Sequence, residues 1–351
     1  MKNKVKEIIH KIYERYYFYI VSKNWRTRYK NVDRKLFSLK VDADTLRQYK
    51  KKWSKFGLKV ETETFQLCYN LSGKKNLGIV PENIFAAILE KRINRHKETS
   101  FFGLKNVYNK WYTDGIFPFA YFHKISGIYY DSKFNIIEDI YKYIGDSNFD
   151  YPIIVKPSKD TYGGVGVRVI NSTNELFMML NEFDYFVCQE KIIQNKFLSE
   201  INNSSLNTIR VCLLRRKDGE FETINSSIRF GINGGLDNET SGGIVCSIDN
   251  YGFLNEYAVD KFANKYLKHP NSNYIFKNLQ IPFYYDLLSQ SKKIANALLL
   301  CDLVSLDMSL DCADSWRCIE INVSGQTIRF AQYAGKPFFG EYTEEIIAKF
   351  S

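Results

Sequence analysis

Apolar and polar positions follow a helical period at the start of the chain. Between residues 8 and 20 the apolar and aromatic side chains return every three or four positions, at Ile8, Ile9, Ile12, Tyr13, Tyr16, Tyr17 and Ile20. This period predicts an amphipathic helix, and residues 1–60 as a whole indicate mainly helical structure. A further helix is predicted over 80–94, with Pro81 in the first turn, where its missing N–H has no helical partner to lose.

Further along, β-branched and aromatic runs predict antiparallel strands. The sequence Lys217-Asp218-Gly219 between two such runs is a strong hairpin signal. A helix predicted over 284–300 separates the last pair of strands from the others. Three hairpin pairs are predicted: 208–215 with 221–230, 244–248 with 253–259, and 304–310 with 317–322. Because helices and antiparallel strands are mixed along the chain, we expect an α+β fold.

Charge is concentrated at the N-terminal end. Residues 1–60 hold 13 Lys and 5 Arg against 5 acidic residues, whereas the whole chain of 351 residues carries a net charge of +10. A basic amphipathic helix with aromatics can lie on an anionic membrane or cover a lobe of its own protein. Glu7 and Glu14 dilute the basic face and favour packing. We expect no nucleic-acid partner, since no recognised module accompanies the charge.

The composition also bears on the compartment. No apolar run approaches the roughly 20 residues of a membrane span, and the charged start lacks the apolar core of a secretory signal. The 7 cysteines include no Cys-x-x-Cys pair and fit scattered reduced thiols. We therefore expect a cytoplasmic protein that can also contact the inner face of the membrane through its basic N-terminal region.

A glycine-rich loop joins two β-branched runs within residues 151–170. Lys156 stands at the end of the first run, and the connection contains Gly163, Gly164 and Gly166. Glycine lets backbone N–H groups approach a phosphate without interference from a Cβ atom, and lysine supplies the opposite charge. Neither a Walker loop nor a dinucleotide fingerprint fits the spacing, because a strand rather than a helix follows. Alone, the segment fits a phosphate-binding lid and an ordinary hairpin turn equally well.

Two carboxylates and an amide share one face of the predicted hairpin 304–322. Side chains alternate along a strand, so Glu320 and Asn322 point the same way, and a loop at 312–315 places Asp307 opposite Glu320. Both acids stand among apolar residues, where an unpaired charge is costly. Oxygen donors of this kind suit Mg²⁺, which bridges them to phosphates. We favour this metal site over a solvated polar face.

The order of these elements resembles the ATP-grasp superfamily, and most of all its sugar-transfer-associated family. The resemblance is densest over 205–332 and leaves residues 1–100 outside. It rests on Ser205-Leu-Asn-Thr-Ile-Arg210, Ser227-Ile-Arg229, Asp237-Asn238 with Gly242-Gly243, His269-Pro270, Leu306-Asp307, and Glu320-Ile-Asn322 with Gln332. It implies two α+β lobes clasping ATP: a small lobe over 101–195 with the lid, and a large lobe over 196–351 with the metal-binding hairpin. A basic, mainly helical region over 1–100 precedes them.

The resemblance also implies roles for individual residues. Asp307, Glu320 and Asn322 would hold two Mg²⁺ ions. Arg210 and Arg229 would stabilise the transferred phosphoryl group, a role that suits a permanently charged guanidinium, although strand-edge salt bridges are the alternative. Contacts to ATP would come from Lys110, Lys156, Gly163, Gly164, Val165, Gly166, Gln189, Glu190 and Ile192. Lys110 is nearly as well explained as a surface lysine.

On the acceptor side, Asp237, Asn238 and His269 would line the substrate site, although turn chemistry explains the first two almost as well. The implied activity is an ATP- and Mg²⁺-dependent ligase that joins a carboxylate to an amine through an acyl phosphate. The family description suggests a uronic-acid sugar and an amino acid or amine, in the synthesis of capsule, O-antigen or exopolysaccharide. The alternatives are a kinase acting on a hydroxyl and a non-catalytic nucleotide-binding scaffold.

Overall fold

The computed structural model describes residues 2–37, 41–159, 164–235 and 242–351. Within these ranges helices α1–α12 span Lys2–Lys30, Ala43–Trp53, Glu63–Ser72, Glu82–Ile84, Glu90–Ile93, Tyr108–Trp111, Ile140–Asp146, Thr173–Met179, Lys196–Ile201, Tyr284–Asn296, Arg329–Gln332 and Thr343–Phe350. Strands β1–β12 span Ala120–Ile125, Ile128–Asp131, Ile153–Pro157, Arg168–Ile170, Phe186–Glu190, Thr208–Arg215, Phe221–Phe230, Ile244–Ile248, Leu254–Val259, Lys265–Tyr266, Leu303–Leu310 and Trp316–Asn322. The prediction of an α+β fold is confirmed.

The N-terminal helices follow from local sequence. The Asp42 side chain caps α2 by accepting a hydrogen bond from the Thr45 N–H at 2.8 Å, and three lysines stand in the last turn, where the helix dipole favours positive charge. The helix predicted over 80–94 is present but interrupted, because a π-helical turn at Phe85–Leu89 joins α4 to α5. Pro81 lies at the cap of α4, one position before its first turn.

The smaller sheet has five antiparallel strands in the order β2-β1-β5-β3-β4. The predicted glycine hairpin is its β3–β4 edge, where Ile153 pairs with Ile170 and Val155 with Arg168. Its core contains Phe122, Val155 and Phe186, packed under α7 and α8. The glycine-rich segment therefore connects two strands at one edge of a well-packed sheet.

The larger sheet has seven antiparallel strands in the order β10-β9-β8-β7-β6-β11-β12. All three predicted hairpins are present in it, with β6–β7, β8–β9 and β11–β12 as neighbours. Asp307 pairs directly with Glu320, as the period-two argument predicted, and a bulge follows between Asp307 and Met308. This sheet therefore carries the acidic hairpin beside β6.

Residues of the N-terminal region share a core with the larger sheet. Tyr49, Trp53 and Phe65 are fully buried and belong to one cluster with Val245 and Leu303 of the sheet. Helix α1 buries Phe18, Trp25 and Tyr29 against the same cluster. The residues from which packing was inferred behave differently, because Ile9, Ile12, Tyr13 and Tyr16 are exposed. The domain boundary at residue 100 remains a prediction.

Two buried glutamates tie this region to the segment after β12. Oε1 of Glu82 accepts hydrogen bonds from the N–H groups of Ile328, at 3.1 Å, and Arg329. Glu90 accepts from the N–H groups of Gly325, at 3.0 Å, and Gln326, at 2.8 Å. The chain that leaves the acidic hairpin is thus held at four backbone donors within residues 325–329 by carboxylates of α4 and α5.

Two further observations concern membranes and thiols. None of the helices in the described ranges is both long and apolar enough to cross a membrane. All 7 cysteines fall within those ranges and none forms a disulfide, which confirms the prediction of free thiols. Only Cys312 among them is exposed, in the β11–β12 loop, while burial accounts for the raised pKa of Cys188 and Cys246.

The buried glutamates make stability depend on pH. Burial raises the pKa of both Glu82 and Glu90 to about 7. A carboxyl whose pKa is raised on folding stabilises the protein at low pH, and that contribution is lost as the pH rises through about 7. We therefore predict that the free energy of unfolding falls between about pH 5 and pH 8, by at most about 3 kcal/mol per glutamate. Urea unfolding at several pH values measures this fall.

The variant Glu82→Gln keeps an acceptor for the two N–H groups but cannot titrate. Its unfolding free energy should therefore fall less steeply with pH than that of the wild type. The exposed Glu138→Gln is the matched control and should follow the wild type. Parallel curves for wild type and Glu82→Gln would contradict the assignment.

Candidate functional site

Charged side chains form a row across the larger sheet. Arg210 on β6 pairs with Asp307 on β11, which pairs in turn with Glu320 on β12. Arg229 on β7 pairs with Thr208 on β6. Because directly paired residues point to the same face of a sheet, these side chains meet on one surface.

Asp307 lies at the centre of this row. Arg210 contacts it with a two-pronged interaction, Nε to Oδ1 and Nη2 to Oδ2, both at 2.9 Å. Nη2 of Arg229 lies 2.8 Å from Oδ2 and also donates to the Thr208 hydroxyl at 2.8 Å. Burial alone would raise the pKa of Asp307, but the two guanidinium groups reverse this and hold the pKa well below its usual value. Asp307 therefore remains a carboxylate that orients two arginines.

Two lysines reach the acidic hairpin from the other sheet and its adjoining turn. Nζ of Lys105, in the turn before α6, lies 2.7 Å from Oε1 of Glu320. Nζ of Lys156, on β3, donates to the Ile319 carbonyl at 3.2 Å. Burial, followed by the nearby charge of Lys105, lowers the pKa of Lys156 to about 8, while Glu320 acts in the opposite direction. The two sheets therefore meet at Lys105, Lys156 and the hairpin.

A second group of contacts lies at the end of β5. Oε1 of Glu190 accepts a hydrogen bond from the Phe119 N–H at 2.8 Å and pairs with Nη2 of Arg317 at 2.5 Å. Arg317 also contacts Asp311 through Nη1 at 3.3 Å. Gln189 is buried in β5, and Ile192 is half-buried just beyond it. Glu190 is thus connected to the acidic hairpin by Arg317, a residue that the sequence analysis did not single out.

The described part of the glycine-rich loop has the backbone that glycine favours. Gly164 and Gly166 have φ values of 75° and 79°, in the left-handed region. A Cβ atom on Gly166 would lie only 2.7 Å from Cγ of Pro157, so no other residue fits there without movement. Val165 between them is 70% exposed. Gly163 lies outside the described residues.

The structure brings Arg210, Arg229, Asp307, Glu320, Asn322 and Lys156 together, and other predicted residues lie apart from them. Lys110 is exposed, with its Nζ 4.9 Å from the ring centre of Phe134, whereas Lys105 lies beside Glu320. Asp237 and Asn238 lie outside the described residues. His269 is described, and it is fully buried.

The hydrogen bonds of His269 fix its protonation state. Nε2 lies 2.9 Å from the Gly231 carbonyl and must donate to it, while Nδ1 accepts from the Ser272 N–H at 3.4 Å. Burial lowers the pKa of His269, in agreement with a neutral ring. Both ring nitrogens therefore contact backbone groups of neighbouring turns.

The donor atoms of the hairpin fit a magnesium ion in part. Among the described residues, no group of three or more His, Cys, Asp or Glu side chains is arranged to hold a metal. Asp307, Glu320 and Asn322 nevertheless offer hard oxygens on adjacent strands, and Mg²⁺ commonly takes one or two carboxylates and completes its shell with phosphates and water. In the described contacts Oδ1 of Asp307 has one partner and Oδ2 has three, so Oδ1 retains acceptor capacity.

The whole arrangement suits a polyanion. Four basic side chains, Lys105, Lys156, Arg210 and Arg229, surround two acidic ones, Asp307 and Glu320. The excess positive charge is partly buried, where fixed charges stabilise an anion more strongly than they do in water. Phosphate groups are the ligands that such a site fits best.

Comparison with solved structures finds ATP-grasp enzymes at low identity. N5-carboxyaminoimidazole ribonucleotide synthetase from Thermotoga maritima is 11% identical, with a TM-score of 0.42, covering 72% of this chain and 51% of that chain. The ATP-grasp ligase PsnB is 12% identical, with a TM-score of 0.41, covering 72% and 62%. The D-alanine–D-alanine ligase from Coxiella burnetii is 12% identical, with a TM-score of 0.38, covering 71% and 58%. This chain thus spans between half and two thirds of their lengths, and these scores carry no argument about chemistry.

Comparison with protein families gives a firmer result, although no curated protein matches. Residues 84–346 match the family described as sugar-transfer associated ATP-grasp. The match begins at the end of α4, so it includes residues 84–100, which the sequence analysis left outside the resemblance. It also spans both sheets and every described residue of the charged row. The chain therefore belongs to the sugar-transfer associated ATP-grasp family.

Proposed function

We propose that this protein is an ATP- and Mg²⁺-dependent ligase that joins a carboxylate to an amine through an acyl phosphate. The observation that carries the proposal is the convergence of Lys105 and Lys156 with the Arg210–Asp307–Arg229 cluster on one hairpin. Phosphoryl transfer relies mainly on positioning and on stabilising negative charge, and this cluster provides both. Family membership supports ATP as the phosphoryl donor.

In the first step, a carboxylate oxygen of the substrate attacks the γ-phosphorus of ATP. The bond between that phosphorus and the β–γ bridging oxygen breaks, and ADP leaves. Lys105 and Lys156 would offset the charge of the phosphates from one side of the cleft. Bound Mg²⁺, held by Asp307, Glu320 and Asn322, would supply Lewis-acid stabilisation of the phosphate oxygens.

In the second step, the amine nitrogen attacks the acyl carbon of the acyl phosphate. The carbon–oxygen bond to phosphate breaks, inorganic phosphate leaves, and the nitrogen passes one proton to that phosphate as the amide forms. Arg210 and Arg229 would stabilise the oxyanion and the leaving phosphate, since Asp307 already holds both guanidinium groups in a fixed orientation. No nucleophilic side chain is required for either step.

The nucleotide would lie between the two sheets. Gly164, Val165 and Gly166, together with Gly163, would cover its phosphates, and Gln189, Glu190 and the backbone at Ile192 would contact adenine. We assign the additional phosphate contact to Lys105, beside Glu320, with the exposed Lys110 as the alternative. Asp237 and Asn238 are proposed on the acceptor side, with His269 as a positioning residue through Gly231.

For substrates, we propose the carboxylate of a uronic-acid sugar and the amine of an amino acid or simple amine. The support is the family's description as sugar-transfer associated, which fits the synthesis of capsule, O-antigen or exopolysaccharide. Carboxylated sugars also match a site built around fixed cations.

Product analysis tests the proposed reaction. Purified protein incubated with ATP, Mg²⁺, a uronic-acid glycan and a panel of amines should release ADP and phosphate in step and give an amide with the corresponding mass. A stable phosphoester without free phosphate would replace the ligase with a kinase. Nucleotide binding without any ADP release across the panel would favour the scaffold.

The role of Asp307 gives a second prediction. Asp307→Asn removes the charge that orients two arginines, and it also changes one proposed metal ligand. We therefore expect kcat to fall by roughly 100-fold or more.

Glu320→Gln changes a second proposed metal ligand. The Mg²⁺ concentration that gives half of the maximal rate should therefore rise in this variant. Steady-state ATP turnover at several Mg²⁺ concentrations measures both effects.

Asp302→Asn provides a matched control. Asp302 also contacts an arginine, Arg215 at 3.4 Å, but it lies away from the row. This variant should keep wild-type turnover, and thermal unfolding of all three variants checks that they fold. Wild-type turnover in Asp307→Asn would remove the charged row from the mechanism.

The two candidate lysines give a third prediction. Lys105→Met and Lys156→Met each remove a cation beside the hairpin, so the Kd for ATP should rise by about tenfold or more in each. Lys110→Met should change the Kd by less than about twofold, because that ammonium group is exposed and lies over Phe134. Titration calorimetry with ATP and Mg²⁺ measures all three. A larger effect at Lys110 than at Lys105 would restore Lys110 as the phosphate contact.

A further inference from the structure

Helix α1 has an apolar face that nothing in the described protein covers. Phe18, Trp25 and Tyr29 form its buried face. On the opposite side, five large side chains are 58–63% exposed: Ile9, Ile12, Tyr13, Tyr16 and Tyr19. At about 100° per residue, they fall within an arc of roughly 120°, centred opposite the buried face. We call these five side chains the exposed stripe.

The helix that carries the exposed stripe has a strongly basic sequence. The sequence of α1 contains two acidic residues, Glu7 and Glu14, against nine basic ones: Lys2, Lys4, Lys6, Lys11, Arg15, Lys23, Arg26, Arg28 and Lys30. Contiguous exposed apolar side chains on a folded protein commonly mark an interaction site. The excess of basic residues in the sequence of α1 indicates that the partner is anionic.

A cleft of about 500 Å³ adjoins the exposed stripe between α1, α5 and the C-terminal end of α12. Tyr13 belongs to both the stripe and the cleft. The basic side chains that line the cleft are Lys91, Arg92, Arg95 and Lys349. Glu14 is the single acidic side chain in the described lining, and it already pairs with Arg92 at 3.3 Å. The cleft therefore has an excess of positive charge and room for a phosphate group.

We propose that the exposed stripe and this cleft dock the protein onto an anionic phospholipid membrane. Isoleucine side chains would enter the boundary between headgroups and acyl chains, and tyrosines would lie at headgroup level, as amphipathic aromatics do. The four basic side chains of the cleft would bind a lipid phosphate. The contact is peripheral, since no described helix can span a bilayer.

Charge argues against the two other partners of this surface. A second copy of the chain would bring the same basic residues face to face, which is unfavourable unless anions lie between them. A nucleic acid would satisfy the charge but would leave Ile9 and Ile12 against a phosphate backbone, without apolar contact. An anionic bilayer satisfies the charged and the apolar parts together.

Vesicle sedimentation with the full chain tests the proposal. We expect binding to vesicles that contain about 30% phosphatidylglycerol in phosphatidylcholine, little binding to phosphatidylcholine alone, and weaker binding at high salt. A stripe variant, Ile12→Ser/Tyr13→Ser/Tyr16→Ser, and a cleft variant, Arg95→Glu/Lys349→Glu, should each lower the partition coefficient by about tenfold or more. All five positions are exposed, so the variants should fold, and thermal unfolding checks this.

Matched controls carry the same changes elsewhere on the surface. Tyr251→Ser/Ile275→Ser/Tyr285→Ser removes one exposed isoleucine and two exposed tyrosines, and Lys196→Glu/Lys277→Glu makes the same change in net charge as the cleft variant. Both controls should bind vesicles like the wild type. Equal losses in the control and test variants would show a general effect of charge or hydrophobicity and would overturn the proposal.

Four other results would overturn it as well. The first is an absence of binding to anionic vesicles, and the second is equal binding to phosphatidylcholine alone. The third is a dimer in light scattering that the stripe variant dissociates, without vesicle binding by the wild type. The fourth is release of the protein from vesicles by inorganic phosphate at the same concentration as lipid headgroups, together with unchanged vesicle binding by the stripe variant. That result would indicate a site for free anions.

Discussion

The contact on which the site depends is the buried carboxylate of Asp307 between Arg210 and Arg229. It connects three neighbouring strands, β7, β6 and β11, through side chains on one face. A buried ion pair becomes strongly destabilising when one partner is removed, because the other charge is left without compensation. The arginines and the carboxylate therefore constrain one another, and the orientation of each guanidinium group is set before any phosphate binds.

A second layer of contacts holds the chain just beyond the acidic hairpin. Glu82 and Glu90 bind the backbone of 325–329, and the Gln332 side chain joins the Val80 backbone to the Phe338 N–H. The helices before residue 100 are therefore part of the support of the site, and the family match begins among them. Buried carboxylates that accept backbone N–H bonds fix this segment more rigidly than apolar packing alone would.

Local patterns in the sequence predicted the parts of the fold that have a fixed period. The β11–β12 register followed from alternation and loop length, and so the facing pair of Asp307 and Glu320 was correct. The sequence analysis chose Lys110 and did not name Lys105, which lies five residues earlier. Both lysines are in short helical turns, and no local pattern distinguishes them. The two side chains point in different directions, and no local signal states which direction faces the hairpin.

Contacts between distant segments could not be predicted in the same way. The partner of Glu190 is Arg317, 127 residues away, and the partner of His269 is the Gly231 carbonyl, 38 residues away. A polar residue in the sequence shows its chemistry but not which groups already satisfy it. The family resemblance supplied candidate roles at these positions, and the structure shows the neighbours with which those roles must be compatible.

The single exposed thiol has a practical consequence. Cys312 lies in the loop of the acidic hairpin, and its N–H donates to the Ile193 carbonyl at 2.8 Å, next to the end of β5. The other six thiols are buried, so a maleimide dye would attach selectively at this point of the native chain. A fluorophore attached there would sense the region between the two sheets without any engineered cysteine. The unmodified sequence thus already contains an attachment point for a spectroscopic probe beside the acidic hairpin.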